Sequence, residues 1–192
     1  MQPITISVLT ICGVDELPAQ TSRSVTHVLS LLDPGWPEIE AFGTYGKHSR
    51  KTLHFHDIID AEDGKTSPQA EHVAGIVRFG AELASSRDER REGHLLVHCH
   101  MGVSRSTAAM LTLLAQTYPQ ETEDRLFERL RQIRSQAWPN SRMIAFADDL
   151  LGRKGRLVSA LCRHYGHQVK AQPKLIDWMT NLGRTRELEM SR

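Results

Sequence analysis

Between residues 94 and 115 the sequence reads HLLVHCHMGVSRSTAAMLTLLA, and no other stretch restricts the fold as much. The apolar run HLLVHC has the length and composition of a buried strand; it breaks near Gly102, and apolar residues resume at helical spacing from Val103 to Gln116. A buried strand feeding a helix through a short glycine-containing turn belongs in a sheet with helices on its faces. Ligands of such sheets sit beyond the carboxyl ends of the strands, which is where Cys99 falls.

The remaining segments fit that frame. Residues 4–11 (ITISVLTI) and 25–32 (VTHVLSLL) are short, rich in β-branched residues and bounded by turn formers, so they read as strands, and LHFHDII from Leu53 reads as a third. Thr66, Ser67 and Pro68 open a helix carrying Val73, Ile76, Val77, Gly80, Leu83 and Ala84, which runs to the charged loop SSRDERREG. Further helices are expected over Thr122 to Ser135 and from an Asn140 N-cap, with Met143, Phe146, Ala147 and Leu150 on one face and Gly152 as the stop. The expected architecture is α/β, three layers (α/β/α) around a central parallel-rich sheet. At 192 residues the chain suits one domain over 1–192, with a core of about 25–151 and a basic, partly helical C-terminal extension over 152–192. Beyond Gly152, nine Lys or Arg stand against three Asp or Glu, yet Leu157, Leu161, Leu175, Ile176, Trp178 and Leu182 make the segment too apolar for a flexible tail. Its basic residues read as a solvated face, with an anionic partner as the minority reading.

Composition excludes several function classes. A formal net charge of +1 gives no reason to expect nucleic acid or a membrane as partner. The start, MQPITISVLTICG, has no basic residue before its apolar stretch and nothing later could span a bilayer, so a cytoplasmic protein is expected. Cys12, Cys99 and Cys162 cannot make a closed disulfide set, which leaves free thiols. Cys12 and Cys162 read as buried or inert, with a redox partnership to Cys99 the lesser reading. His94, His98 and His100, with His54 and His56, match no metal-ligand spacing and read as surface or strand-packing residues; no metal or other cofactor is expected. Trp36, Trp138 and Trp178 read as packing residues.

A loop of backbone amides feeding a helix N-terminus binds anions, because the first amides of a helix lack intrahelical partners and the helix dipole adds positive charge. His100, Met101, Gly102, Val103, Ser104 and Arg105 would supply those amides, and Gly102 permits the turn that lets them converge. Arg105 can offer its planar fork to two phosphate oxygens. The same field favours the Cys99 thiolate, the nucleophilic form. A lone cysteine is more often a small buried hydrophobe. Requiring His98, Gly102, Arg105 and Ser106 around it lowers the composition-based chance of a match to roughly one in ten thousand.

His98, Cys99, Arg105 and Ser106 resemble the H-C-x5-R-[ST] signature of the cysteine-dependent protein tyrosine and dual-specificity phosphatases, and the chain looks like a compact, bacterial-type member. An upstream strand carrying an aspartate, two downstream helices and the stretch WPNSRMIAFADDLL extend the resemblance over roughly residues 25–151. The resemblance implies that Cys99 attacks phosphorus to form a phosphocysteine, that Arg105 holds the equatorial oxygens, that Ser106 hydrogen-bonds the departing sulfur, and that His98 helps tune the thiol. It also implies an aspartate acid after the strand preceding the long helix. Asp57 fits best because it follows directly on the strand pattern, with Asp60 next and Asp63 third; the segment up to Pro68, longer than in compact relatives, keeps the choice among them open.

The leading expectation is a phosphatase of phosphotyrosine, with phosphoserine and phosphothreonine as further candidates. A non-catalytic phosphate-binding module is disfavoured by the intact Cys99, Arg105 and Ser106. An enzyme of a small phosphate ester, such as a phosphoinositide or nucleotide, is disfavoured by the lack of lysine in HMGVS.

Overall fold

The computed structural model describes residues 8–85 and 93–192. Four strands, β1 (Val8–Cys12), β2 (His27–Leu32), β3 (Ser49–His54) and β4 (His94–His98), form one sheet in the order β1-β4-β2-β3, with every pairing parallel. Among the described residues, seven helices follow the strands or pack beyond them: α1 (Ala70–Ser85), α2 (Arg105–Thr117), α3 (Glu123–Ile133), α4 (Ser141–Leu150), α5 (Arg156–Ala171), α6 (Lys174–Asn181) and α7 (Thr185–Glu189). This is the expected α/β class with a central parallel sheet flanked by helices. Residues 4–7 of the first expected strand and 86–92 of the charged loop lie outside the described residues.

Side-chain alternation sorts the sheet into two faces. Ile11, Leu29, Leu31, Leu95 and Val97 join the large core under the α-helices, whereas Cys12, Val28, Leu32 and Leu96 join a smaller cluster with Leu17, Ile39 and Phe42. The layer over that second face is built from short 3-10 helices, Val14–Glu16, Pro18–Arg23 and Glu40–Thr44. Helices α1 and α2 cross closely because Gly80 has no side chain: a Cβ there would lie 2.1 Å from the Gln116 side-chain oxygen and 2.8 Å from Leu113.

Two segments depart from the sequence reading. The third strand lies earlier than expected, over Ser49–His54, since the Phe55 amide still bonds to Leu32 O (2.9 Å) but the His56 amide turns to Thr66 O (2.8 Å). Phe55, Ile58 and Ile59 are buried by packing in the loop and not by continuing the strand. Residues 152–192, in turn, supply Leu157, Leu161, Tyr165, Leu175 and Met179 to the main core. Two of their nine basic side chains are buried, Arg153 paired with Glu123 and Arg184 with Asp57; Arg156, Arg163 and Arg186 pair with Glu123, Asp124 and Asp60 from exposed positions, and Lys154, Lys170, Lys174 and Arg192 are exposed. The solvated reading therefore holds for seven of the nine, and Arg153 and Arg184 are the exceptions.

Candidate active site

The carboxyl end of every strand delivers a residue to one place. Gly13 follows β1, Asp33 follows β2, Asp57 lies three residues past β3, and Cys99 follows β4, which sits between β1 and β2. Asp33, Asp57, Cys99, Arg105 and Arg184 line a common pocket of about 250 Å³.

Cys99 is buried with its Sγ 3.2 Å from Ser106 Oγ, which is itself inaccessible. The loop after it is held from outside, carbonyl by carbonyl. His100 O accepts from Val14 N (2.9 Å), Met101 O and Gly102 O from the Arg134 guanidinium (3.2 and 3.0 Å), Val103 O from Trp138 N (2.9 Å) and Ser104 O from Ala108 N (3.0 Å). A peptide's N–H points opposite to its C=O, so the four carbonyls from His100 to Val103, bonded from outside, turn the following amides toward the space the loop encloses, while Ser104 O takes the first bond of α2. Arg134 is braced by both oxygens of Glu16 (2.8 Å each), and one of these also accepts from Gly13 N (2.6 Å). Gly102 has φ +68°, and a Cβ on it would lie 2.5 Å from the Cys12 carbonyl carbon, so conformation and space both demand glycine there.

Arg105 opens α2 and is 1% exposed. Its Nη1 donates to Asp33 Oδ1 (2.7 Å) and Phe55 O (2.5 Å), while Nε, buried, has no hydrogen-bond partner among the described residues and stands 4.0 Å from Asp57 Oδ2. One nitrogen thus anchors the guanidinium and another stays uncommitted, the arrangement an anion requires.

Asp57 Oδ1 accepts from Ser104 Oγ (2.8 Å), Asn140 Nδ2 (2.9 Å) and Arg184 Nη2 (2.5 Å), and Oδ2 stands 4.0 Å from Arg105 Nε. Burial pushes this carboxyl's pKa up, but the charges of Arg184 and Arg105 and the hydrogen bonds of Asn140 and Ser104 outweigh it, leaving it below the usual carboxylate range. Of the other two candidate aspartates, Asp60 is exposed and paired with Arg186, and Asp63 is exposed; neither lines the pocket.

His98 is fully buried and shares a 2.7 Å hydrogen bond with Ser30 Oγ; burial lowers its pKa to about 4, so it is neutral at pH 7 and cannot act on the thiol as a cation. His100 stacks on Trp36 at a centroid distance of 3.9 Å, and its Nε2 accepts weakly from the Asp33 amide (3.4 Å). Trp36, 38% exposed, packs on His100 at the surface and does not line the pocket; Trp138 is buried and Trp178 packs at the core edge. Met101 is exposed at the pocket mouth, and Val103 and Ser104 are buried in its wall. Cys12 is buried and its thiol pKa is pushed up to about 12, chiefly by burial, whereas Cys162 is only partly buried. Among the described residues no group of three His, Cys, Asp or Glu side chains is arranged to hold a metal ion, and no helix is long and apolar enough to cross a membrane.

Sequence reasoning missed Asp33, Arg134, Glu16 and Arg184, and it read Asn140 only as a helix cap. Asn140 is that cap, accepting from Met143 N (3.1 Å), but its amide nitrogen also holds Asp57. For Arg184 the one available signal was the Arg-x-x-Glu spacing to Glu187, which on a surface helix means only an i,i+3 pair.

The model of the protein-tyrosine phosphatase family matches residues 42–144. No curated protein matches the chain. Among solved structures, the Yvh1 phosphatase domain from Chaetomium thermophilum is similar at 24% identity and TM-score 0.55, over 78% of this chain and 93% of that one. The human tyrosine phosphatase-like serine/threonine/tyrosine-interacting protein is similar at 17% identity and TM-score 0.54, over 78% and 95%. The PTP-2 phosphatase of Cydia pomonella is similar at 17% identity and TM-score 0.56, over 77% and 88%. At these identities the likeness is one of fold.

Proposed function

The chain belongs to the protein-tyrosine phosphatase family, and from that premise we propose that it hydrolyses phosphotyrosine through a phosphocysteine intermediate. In this reading the phosphoryl oxygens enter the loop of His100 to Arg105 and receive its inward amides and the uncommitted Arg105 Nε. The Cys99 thiolate attacks phosphorus, forming the S–P bond as the ester P–O bond breaks, and Asp57 gives its proton to the leaving oxygen. Water then attacks phosphorus, its proton returns to Asp57, and the P–S bond breaks with Ser106 donating to the departing sulfur. The observation that carries this reading is the ring of outward-held carbonyls around Cys99, which readies the amides for an anion before one arrives.

Because Asp57 is held below the usual carboxylate range, its acid form is scarce at neutral pH. Turnover of esters that need a proton at the leaving oxygen is expected to fall as pH rises above that pKa, while activated esters fall less.

One observation favours a second substrate class. Lys65 also lines the pocket, a cation from outside the loop that HMGVS lacks; its exposed ammonium pairs with Glu62 (2.6 Å), so a second anionic group on a small ester would bind it in competition with that carboxylate. Hydrolysis rates on a phosphotyrosine peptide, a phosphothreonine peptide, a nucleoside monophosphate and an inositol phosphate separate the two. The phosphotyrosine peptide is expected to be fastest, and Cys99→Ser to lower every rate by at least about 10³-fold while vanadate still binds. Retained turnover in that variant removes the covalent mechanism.

A further inference from the structure

Arg184 sits in the turn between α6 and α7, 40 residues beyond the end of the family match, and yet it reaches the pocket. It is 4% exposed. Its Nη2 donates to both the main-chain carbonyl (2.7 Å) and Oδ1 (2.5 Å) of Asp57 and lies 3.2 Å from Ser104 Oγ. One nitrogen therefore grips the backbone and the side chain of the same residue, which fixes the carboxyl about its first side-chain torsion.

The grip is part of a closed ring. Arg184 Nη1 pairs with Glu187 Oε1 (3.4 Å), and Glu187, with no exposed surface, accepts from Trp138 Nε1 (2.8 Å) and Ser141 N (2.7 Å). Trp138 N holds Val103 O in the anion loop, and Ser104 Oγ, one residue on, returns to Asp57 Oδ1. The C-terminal turn is thus bonded at once to the aspartate and to the wall of the loop.

Burying an arginine and a glutamate is a poor way to gain stability, because desolvating two charges costs about as much as their pairing returns, and apolar residues would fill the space as well. What this pair supplies is position. Three donors converge on Oδ1, whereas Oδ2 accepts no hydrogen bond from the described residues and stands on the Arg105 side. We propose that Arg184 is the positioning residue of the proton donor, fixing Asp57 by Oδ1 and its carbonyl so that Oδ2 alone serves the leaving oxygen, and making the α6–α7 turn part of the catalytic unit. This rests on the reading of Asp57 as the acid.

The test is kcat/KM of the full chain on aryl phosphates whose leaving phenols range from acidic to weakly acidic, for wild type, Arg184→Met, Asp57→Asn and the double variant. Arg184→Met keeps the volume and apolar stem of the side chain. It is expected to lower the rate on the poorest leaving groups about 10- to 100-fold and on para-nitrophenyl phosphate less than about 3-fold. In the Asp57→Asn background it should add little further leaving-group dependence, since both act on one proton transfer. A steep dependence in Asp57→Asn with an unchanged one in Arg184→Met overturns the positioning role and leaves the acid assignment standing. Equal loss on all esters in Arg184→Met shows a merely structural role and overturns it too. A flat dependence in Asp57→Asn removes the acid reading and this inference with it. Should Arg184→Met fail to bind vanadate, Arg184→Lys carries the test: a single ammonium is expected to steepen the dependence about 3- to 10-fold, and no steepening overturns the proposal.

Discussion

Cys99 and Asp57 line one pocket but are held there by different kinds of structure. The loop from Cys99 to Arg105 is contiguous, so its order of residues already contains the nucleophile, the turn and the arginine. Asp57 is held by Ser104, Asn140 and Arg184, the last 127 residues away in the chain. The first region carries its reacting groups in one short run, with Val14, Arg134 and Trp138 holding its backbone, and the second gathers its groups from across the chain. Damage to the loop should therefore be independent of the leaving group, and damage to the aspartate side should track it.

The largest effect on this contrast is expected from Arg105→Lys. An ammonium cannot supply the planar fork, and the Nη1 anchor to Asp33 and Phe55 O is lost with it, so kcat/KM should fall about 10²- to 10³-fold on every ester. A loss confined to poor leaving groups would mean that Arg105 acts through Asp57, and the division between the regions would dissolve.

Next in size is a pH effect that samples both regions. His98 underlies the loop and His164, 2% exposed, hydrogen-bonds Ala137 O beneath the C-terminal helices; burial lowers the pKa of each from 6.5 to about 4. Between those values the unfolded chain binds protons that the native protein refuses, so stability is expected to drop as pH falls from 6.5 to 4, by at most about 3 kcal/mol per histidine. Urea unfolding at pH 7, 5.5 and 4.5 measures the drop, and His98→Gln and His164→Gln should each flatten it. If the two regions unfold as one unit, both variants will act on the same transition; two transitions, each answering to one histidine, would make them separate units.

Gly102→Ala follows. An alanine at φ +68° with its Cβ 2.5 Å from a backbone carbon must displace β1 or the loop, and a cost of about 2 kcal/mol or more is expected, with weaker vanadate binding. Thermal unfolding and vanadate titration check it. An unchanged vanadate affinity would show that the loop does not need its contact with Cys12 and Gly13 to bind an anion.

What could be read from the sequence follows the same division. HLLVHC and the helix after it were legible because a central parallel strand is apolar on both faces and the glycine marks its end. The strand at 49–54 was not, since Ser49, Arg50 and Lys51 belong to an exposed edge and carry no apolar alternation. The buried Phe55, Ile58 and Ile59 beside it imitated a strand that the hydrogen bonds do not continue. Asp57 could be placed beside the pocket because it follows that misplaced strand in either register, whereas Arg134 and Arg184 were missed because nothing in a single sequence separates an arginine turned inward from one in solvent, and Asp33 because an aspartate after a strand reads as a turn residue. Trp36 packs as a tryptophan is expected to, but against His100 at the surface and not in the core.

The smallest expected effect decides how narrowly the aspartate side is built. Asp60 stands three residues past Asp57 and pairs with Arg186, two residues past Arg184, so it shares both neighbourhoods of the ring. Both members of the pair are more than half exposed, and an exposed ion pair contributes about 0 to 1 kcal/mol. Asp60→Asn should therefore leave stability within about 1 kcal/mol and kcat/KM within about twofold on all aryl phosphates, and Asp63→Asn should behave alike. These variants change charge beside the pocket without touching Oδ1 or Oδ2 of Asp57, so a long-range field effect and a positioned proton donor give different answers. If Asp60→Asn steepened the leaving-group dependence while Asp57→Asn matched wild type, the proton would come from Asp60. The donors gathered on Asp57 would then serve only to fasten the loop after β3, and the aspartate side would be as local as the anion loop.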